Sequence, residues 1–165
     1  MFTAGILTIS DRGSRGERQD KSGEAIREII SGTVARVVNY DIVPDEKELI
    51  VEKLVKWADK DKLDVVITTG GTGLTPRDVT PEATLAVVDR IVPGFAEAMR
   101  AESLKKTPHA MLSRAVVGTR GKCLIVNLPG SPKAVRECLA VILPALPHAV
   151  ETLKGQAGEC GAVEA

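Results

Sequence analysis

The stretch that most restricts what this chain can fold into is Asp64–Pro81, DVVITTGGTGLTPRDVTP. Val65, Val66, Ile67, Thr68 and Thr69 form a continuous β-branched run too short for a stable helix. Such a run reads as a strand buried on both faces of a parallel sheet. It passes directly into Gly70-Gly71-Thr72-Gly73. Glycines let the backbone turn sharply and leave no side chain between the amides and a bound anion. Thr80-Pro81-Glu82 then reads as helix N-cap, N1 proline and first-turn acid. Strand, glycine loop and helix start together make an anion site at the carboxyl end of the strand. Asp78 falls inside that constellation, where a carboxylate among phosphates points to a divalent-metal ligand. By itself the glycine cluster also fits a plain structural turn. It is not a Walker A loop, because no Gly-Lys-Ser/Thr follows, nor is it the spaced dinucleotide fingerprint.

The rest of the chain repeats this arrangement. Gly5–Ile9 is a short apolar run that enters the polar loop Ser10–Gly16, whose two arginines suit phosphate or carboxylate contact. A helix capped by Ser22 is predicted through Ile30, then a strand over Val34–Val43. Asp45 reads as the cap of a helix over Glu46–Lys60, with Leu49, Ile50, Leu54 and Trp57 as its apolar stripe. Beyond the central glycine loop come short helices over Pro81–Arg90 and Phe95–Lys105, then an irregular segment, Lys106–Arg114, holding His109, Ser113 and Arg114. His109 follows a proline and reads as a surface residue. The apolar runs Ala115–Thr119 and Cys123–Leu128 are separated by Arg120-Gly121-Lys122, a hairpin signal that makes one strand antiparallel. Asn127-Leu128-Pro129-Gly130-Ser131-Pro132 again feeds a strand into a capped helix, with Ser131 as N-cap. Pro144 and Pro147 interrupt that helix, and the glycine-rich 155–165 reads as a frayed tail. The expected fold is therefore α/β, with a mostly parallel sheet that has one antiparallel strand.

Composition narrows the function. Lys+Arg and Asp+Glu both number 22, so no charge excess points to nucleic acid or an anionic membrane. Aromatic residues are only 2%, which argues against base-stacking platforms. No apolar run is long enough for a membrane span, and Met1-Phe2-Thr3 leads straight into a strand-like run without a secretory signal pattern. Cys123, Cys138 and Cys160 are odd in number and lack metal-type spacing. Buried reduced thiols and a cytoplasmic location are expected.

The segments TISDRGS, QDKSG, TTGGTGLTPRDVTPEAT, PGF, AMLSR, GTRGK and LIVNLPGSPKAV, taken in order, resemble the molybdopterin-binding domain of molybdopterin adenylyltransferases. The amino-terminal domain of gephyrin is similar. The likeness runs from about Ile6 to Lys154, so 1–154 is expected to form the domain. It implies a three-layer α/β/α sandwich, often trimeric, and an enzyme that moves AMP from ATP onto the terminal phosphate of molybdopterin with Mg²⁺, releasing pyrophosphate. Adenylyl-molybdopterin is then used for metal insertion by a separate protein or domain, an implied partner. Asp45 and Asp78 match the two aspartates the family needs for activity and are the implied metal ligands. Gly70, Gly71, Thr72, Gly73, Ser113, Asn127, Pro129, Gly130 and Ser131 match positions around its pterin and nucleotide sites. Ser10, Asp11 and Arg12 match its first-strand loop. The chemistry agrees: no protein nucleophile is needed if the substrate's own phosphate attacks, and none of the Ser/His/Asp or Cys/His type stands out. A non-catalytic pterin-binding or scaffold protein of the same family is the alternative, with a generic nucleotide-binding regulator as a third reading.

Overall fold

In the computed structural model, which describes residues 1–156 and 158, six strands form one sheet in the order β2-β1-β3-β6-β5-β4. β1 is Phe2–Ile9, β2 Ala35–Val43, β3 Val65–Thr69, β4 Arg90–Ile91, β5 Val117–Arg120 and β6 Cys123–Leu128. The pairs of β1 with β2, β1 with β3 and β3 with β6 are parallel. β5 runs against both β6 and β4, so it alone is reversed. The two-residue turn Gly121-Lys122 joins β5 to β6, with Gly121 at φ +55°. Most of the tail expected over 155–165 lies outside the described residues.

Both faces of the sheet are covered, as the β-branched run at β3 requires. Ile6, Val65, Ile67, Leu124 and Val126 point into one apolar layer with α2 (Lys21–Ile30), α5 (Pro93–Leu104), α6 (Pro132–Ile142) and α7 (Leu146–Lys154). Their sequence neighbours Leu7, Val66 and Ile125 point the other way, onto α3 (Lys47–Val55), α4 (Thr80–Val87) and Trp57. Each fully buried Ile or Leu contributes about 1.5–3 kcal/mol, and the two layers together hold the sheet rigid behind its loops. A one-turn helix, α1, covers Asp11–Ser14.

Several boundaries differ from expectation, each for a local reason. α2 starts two residues early because Asp20, not Ser22, caps it, accepting from the Gly23 amide at 2.9 Å. Asp45 does not cap α3; Glu46 occupies that position without a side-chain bond, and the carboxylate of Asp45 turns to Asp11 instead. The expected single helix to Lys60 becomes α3 followed by a π turn over Lys56–Lys60 that buries Trp57. Thr80 is inside α4 rather than its cap, because its hydroxyl donates to the Gly70 carbonyl at 2.9 Å. Arg90, read as the end of a helix, instead begins the short edge strand β4, which its pairing with β5 defines. The irregular segment contains a 3₁₀ turn over Pro108–Leu112. Cys123 and Cys138 are buried free thiols, and burial pushes Cys123 up to about 12.

Candidate active site

The chain leaves β1 toward β2 and leaves β3 toward β6, with α2 and α4 on opposite faces of the sheet. Loops at the carboxyl ends of β1 and β3 therefore part, and open sheets bind ligands at such a point. A cavity of about 670 Å³ opens there. Its walls include Thr8–Ser10 at the end of β1, Asp45 after β2, Thr69–Gly71 at the end of β3 with Asp78 beyond it, and Gly130–Pro132 after β6. The starts of α2 and α6 also border it, with Arg18 and Lys21 adding positive charge.

The loops are held to one another by polar contacts. The Asp11 amide donates to Asp45 Oδ2 at 2.9 Å, and the Asp45 amide donates to Asp11 Oδ1 at 3.0 Å. Arg77 grips both Asp11 oxygens, at 3.1 and 2.8 Å, and this guanidinium holds the Asp11 carboxyl below its ordinary value. The Ser10 hydroxyl accepts from the Gly13 amide at 3.0 Å and starts α1. Gly70 has φ +97°, and a Cβ there would sit 2.3 Å from the Ile9 carbonyl oxygen. Gly71 has φ +68°, and its Cβ would fall 2.2 Å from the Thr80 hydroxyl and 3.3 Å from Asp45 Oδ1. Both glycines are thus demanded by the loop's own packing, besides leaving the cavity wall bare.

Asp45 and Asp78 border the same cavity. Burial raises the pKa of Asp45, and the negative charges of Asp11 and Asp78 push in the same direction. Asp78 Oδ2 accepts from the amide and hydroxyl of Thr75, at 3.0 and 2.8 Å, which fixes its rotamer. Among the described residues no three Asp, Glu, His or Cys side chains form a ready metal cage. Two carboxylates beside a glycine loop nevertheless fit magnesium, which is commonly held by one or two carboxylates, waters and the ligand's phosphates.

The expected site residues fall into three groups. Ser10, Asp45, Gly70, Gly71, Asp78, Gly130 and Ser131 border the large cavity. Thr72, Ser113 and Pro129 border a second, more apolar cavity of about 260 Å³, together with Met99, Arg100 and Cys138. Gly71–Thr72 and Pro129–Gly130 thus stand between the two. Asp11, Arg12, Gly73 and Asn127 border neither. Asn127 is fully buried: its amide nitrogen donates to the Thr68 and Thr84 hydroxyls, and its oxygen accepts from the Val116 amide. It braces the floor between β3, α4 and the start of β5.

One part of the site escaped the sequence reading. Asp20 Oδ2 accepts from the Thr8 hydroxyl at 2.6 Å and from the Tyr40 hydroxyl, while Gly23 leaves the space these groups fill. Burial and this contact with Asp20 raise the Tyr40 pKa. The Ser22 hydroxyl donates to the Gly130 carbonyl at 2.6 Å, tying α2 to the loop after β6. The signal was present in QDKSG, since an aspartate three residues before Gly23 is a good cap. Only the fold brings Thr8 and Tyr40 to it.

Fold and site together define an α/β protein with a cleft suited to an anionic ligand at the carboxyl edge of its sheet. Residues 5–148 match the family described as "Probable molybdopterin binding domain". The chain is 48% identical over 153 residues to the molybdopterin adenylyltransferase of Helicobacter pylori strain J99, covering 92% of this chain and 87% of that one. It is 46% identical to gephyrin of Dictyostelium discoideum across 90% of this chain, which spans only 22% of that protein. Among solved structures, the molybdopterin biosynthesis enzyme MoaB of Thermus thermophilus superposes with a TM-score of 0.90 at 55% identity, over 96% of this chain and 100% of that one. The chain belongs to the molybdopterin-binding domain family.

Proposed function

We propose that the protein is a nucleotidyltransferase of molybdenum cofactor biosynthesis that adenylylates molybdopterin with ATP. One observation carries this reading: 48% identity to a molybdopterin adenylyltransferase across 92% of the chain. In the reaction, an oxygen of the molybdopterin terminal phosphate attacks the α-phosphorus of ATP. The bond to the bridging oxygen of the β-phosphate breaks, giving adenylyl-molybdopterin and pyrophosphate.

The polar cleft and the apolar cavity beside it offer room for two substrates whose reacting phosphates would meet where the two adjoin, at Gly71–Thr72 and Pro129–Gly130. The backbone amides of the glycine loop, with Arg18 and Lys21 nearby, can balance converging phosphate charge. Asp45 and Asp78 are the residues we assign to catalysis and to holding Mg²⁺, which would supply charge neutralisation of the phosphates. Burial raises the Asp45 pKa, with the charges of Asp11 and Asp78 adding to it, and a bound cation would lower it again. Ser10 borders the cleft, and Asp11, the next residue, braces Asp45 from behind it. We read 1–154 as one molybdopterin-binding domain that works in the cytoplasm as a homotrimer and passes its product to a metal-insertion protein or domain. Among the described residues no helix is long and apolar enough to cross a membrane.

No observation favours the scaffold alternative or a generic nucleotide-binding regulator. Incubation with ATP, Mg²⁺ and molybdopterin, followed by mass spectrometry for adenylyl-molybdopterin and an assay for pyrophosphate, tests the proposal. Pterin binding without either product would overturn it.

A further inference from the structure

We infer that Arg114 is a positioning residue for this reaction, clamping the glycine loop so that Asp78 faces the cleft. The inference rests on the adenylylation reading and adds to it a residue that need not touch either substrate.

Arg114 holds the loop at four points. Its amide donates to the Thr72 carbonyl at 2.9 Å, and Nε donates to the Gly73 carbonyl at 2.7 Å. One terminal nitrogen donates to the Asp78 carbonyl at 2.7 Å, and the other pairs with Glu82 in the first turn of α4. These contacts span the loop from its glycines to the helix that follows. Between them, Leu74–Arg77 is exposed, so packing does little to fix that stretch.

The clamp is itself anchored. Arg100, on α5, donates to the carbonyls of Ser113 and Ala115 on either side of Arg114, at 3.4 and 3.0 Å. The Val116 amide donates to the buried Asn127. Arg114 thus transmits the rigid position of α5 and β6 to the backbone of Asp78. A guanidinium presents several donors in one plane, and a lysine ammonium cannot bridge two carbonyls and a carboxylate in that geometry. Arg114 borders neither cavity, so its effect reaches the chemistry only through the loop.

The test compares wild type with Arg114→Lys and Arg114→Gln, using hydrogen exchange by mass spectrometry and steady-state kinetics with Mg-ATP and molybdopterin. We expect faster exchange in peptides covering 72–79 of both variants, with α2 peptides unchanged. We expect kcat to fall about 10²-fold, the scale set by a displacement of about 1 Å at a reacting centre, with KM nearly constant. Recovery of the wild-type rate by Arg114→Lys would overturn the clamp, because charge alone would then suffice. Unchanged exchange over 72–79, or acceleration shared equally by α2, would also overturn it. If wild type forms no adenylyl-molybdopterin, the adenylylation reading falls, and loop exchange alone decides whether Arg114 orders the Asp78 loop.

Discussion

At the scale of single residues, Asp45 and Asp78, the two aspartates of the proposed mechanism, make opposite demands on the fold. Asp78 accepts from the amide and hydroxyl of Thr75, and an asparagine of the same shape still presents one acceptor oxygen. Asp78→Asn is expected to keep its melting temperature while product formation falls about 10²-fold or more, the loss typical of one key electrostatic contact. Near-normal turnover would remove it from the mechanism. Asp45 is held above its ordinary pKa by burial and by its acidic neighbours. A carboxyl whose folded pKa exceeds its unfolded value favours folding while protonated, so stability falls as pH rises through that interval and stays lowered above it. Asp45→Asn can keep the bond from the Asp11 amide. It should therefore melt no lower than wild type at neutral pH, with any advantage vanishing as pH drops through the carboxylate range. A variant equally destabilised at every pH would mean that Asp45 matters only as a hydrogen-bond acceptor.

At the scale of elements, the loops after β3 and β6 hold two kinds of glycine. Gly71→Ala places a Cβ against the Thr80 hydroxyl in a left-handed backbone conformation. It should cost about 1–3 kcal/mol in denaturant unfolding, so the loop cannot be varied there without loss of stability, contrary to what the open glycine run implies by itself. At Gly130 a Cβ would meet only the Gly70 Cα, at 3.5 Å, while still narrowing the cleft. Gly130→Ala should fold within about 0.5 kcal/mol of wild type yet bind nucleotide or pterin more weakly by calorimetry; unchanged affinity for both would take Gly130 out of the binding surface. The same contrast marks what was legible beforehand. β3, β6 and the Ser131-Pro132 start of α6 could be read because apolar runs and cap chemistry are local. β4, the π turn and the Asp20–Tyr40–Thr8 cluster could not, since partners distant in sequence create them. Asp45 looked like a cap because its neighbours in sequence fit one, whereas the nearest amide in space belongs to Asp11.

At the scale of the molecule, the loops after β1, β2, β3 and β6 of one chain border the large cavity together. The homotrimer drawn from the family resemblance should then contain three independent sites. Mixing wild type with an Asp45→Asn, Asp78→Asn double variant should give activity linear in the wild-type fraction once subunit exchange is verified by mass spectrometry. A curve bending below that line would mean shared sites, and sedimentation as a monomer would remove the trimer. The strand order has a consequence of another kind. β3 lies between β1 and β6, yet β6 is encoded far downstream, after β4, α5 and β5. Chains emerge amino end first at about 5–20 residues per second, so for several seconds of each round of translation β3 has a neighbour on one side only. During that interval its β-branched backbone edge is open to any other nascent chain. The cleft cannot exist until Gly130–Pro132 has left the ribosome tunnel, so a partly made chain cannot capture the substrates there.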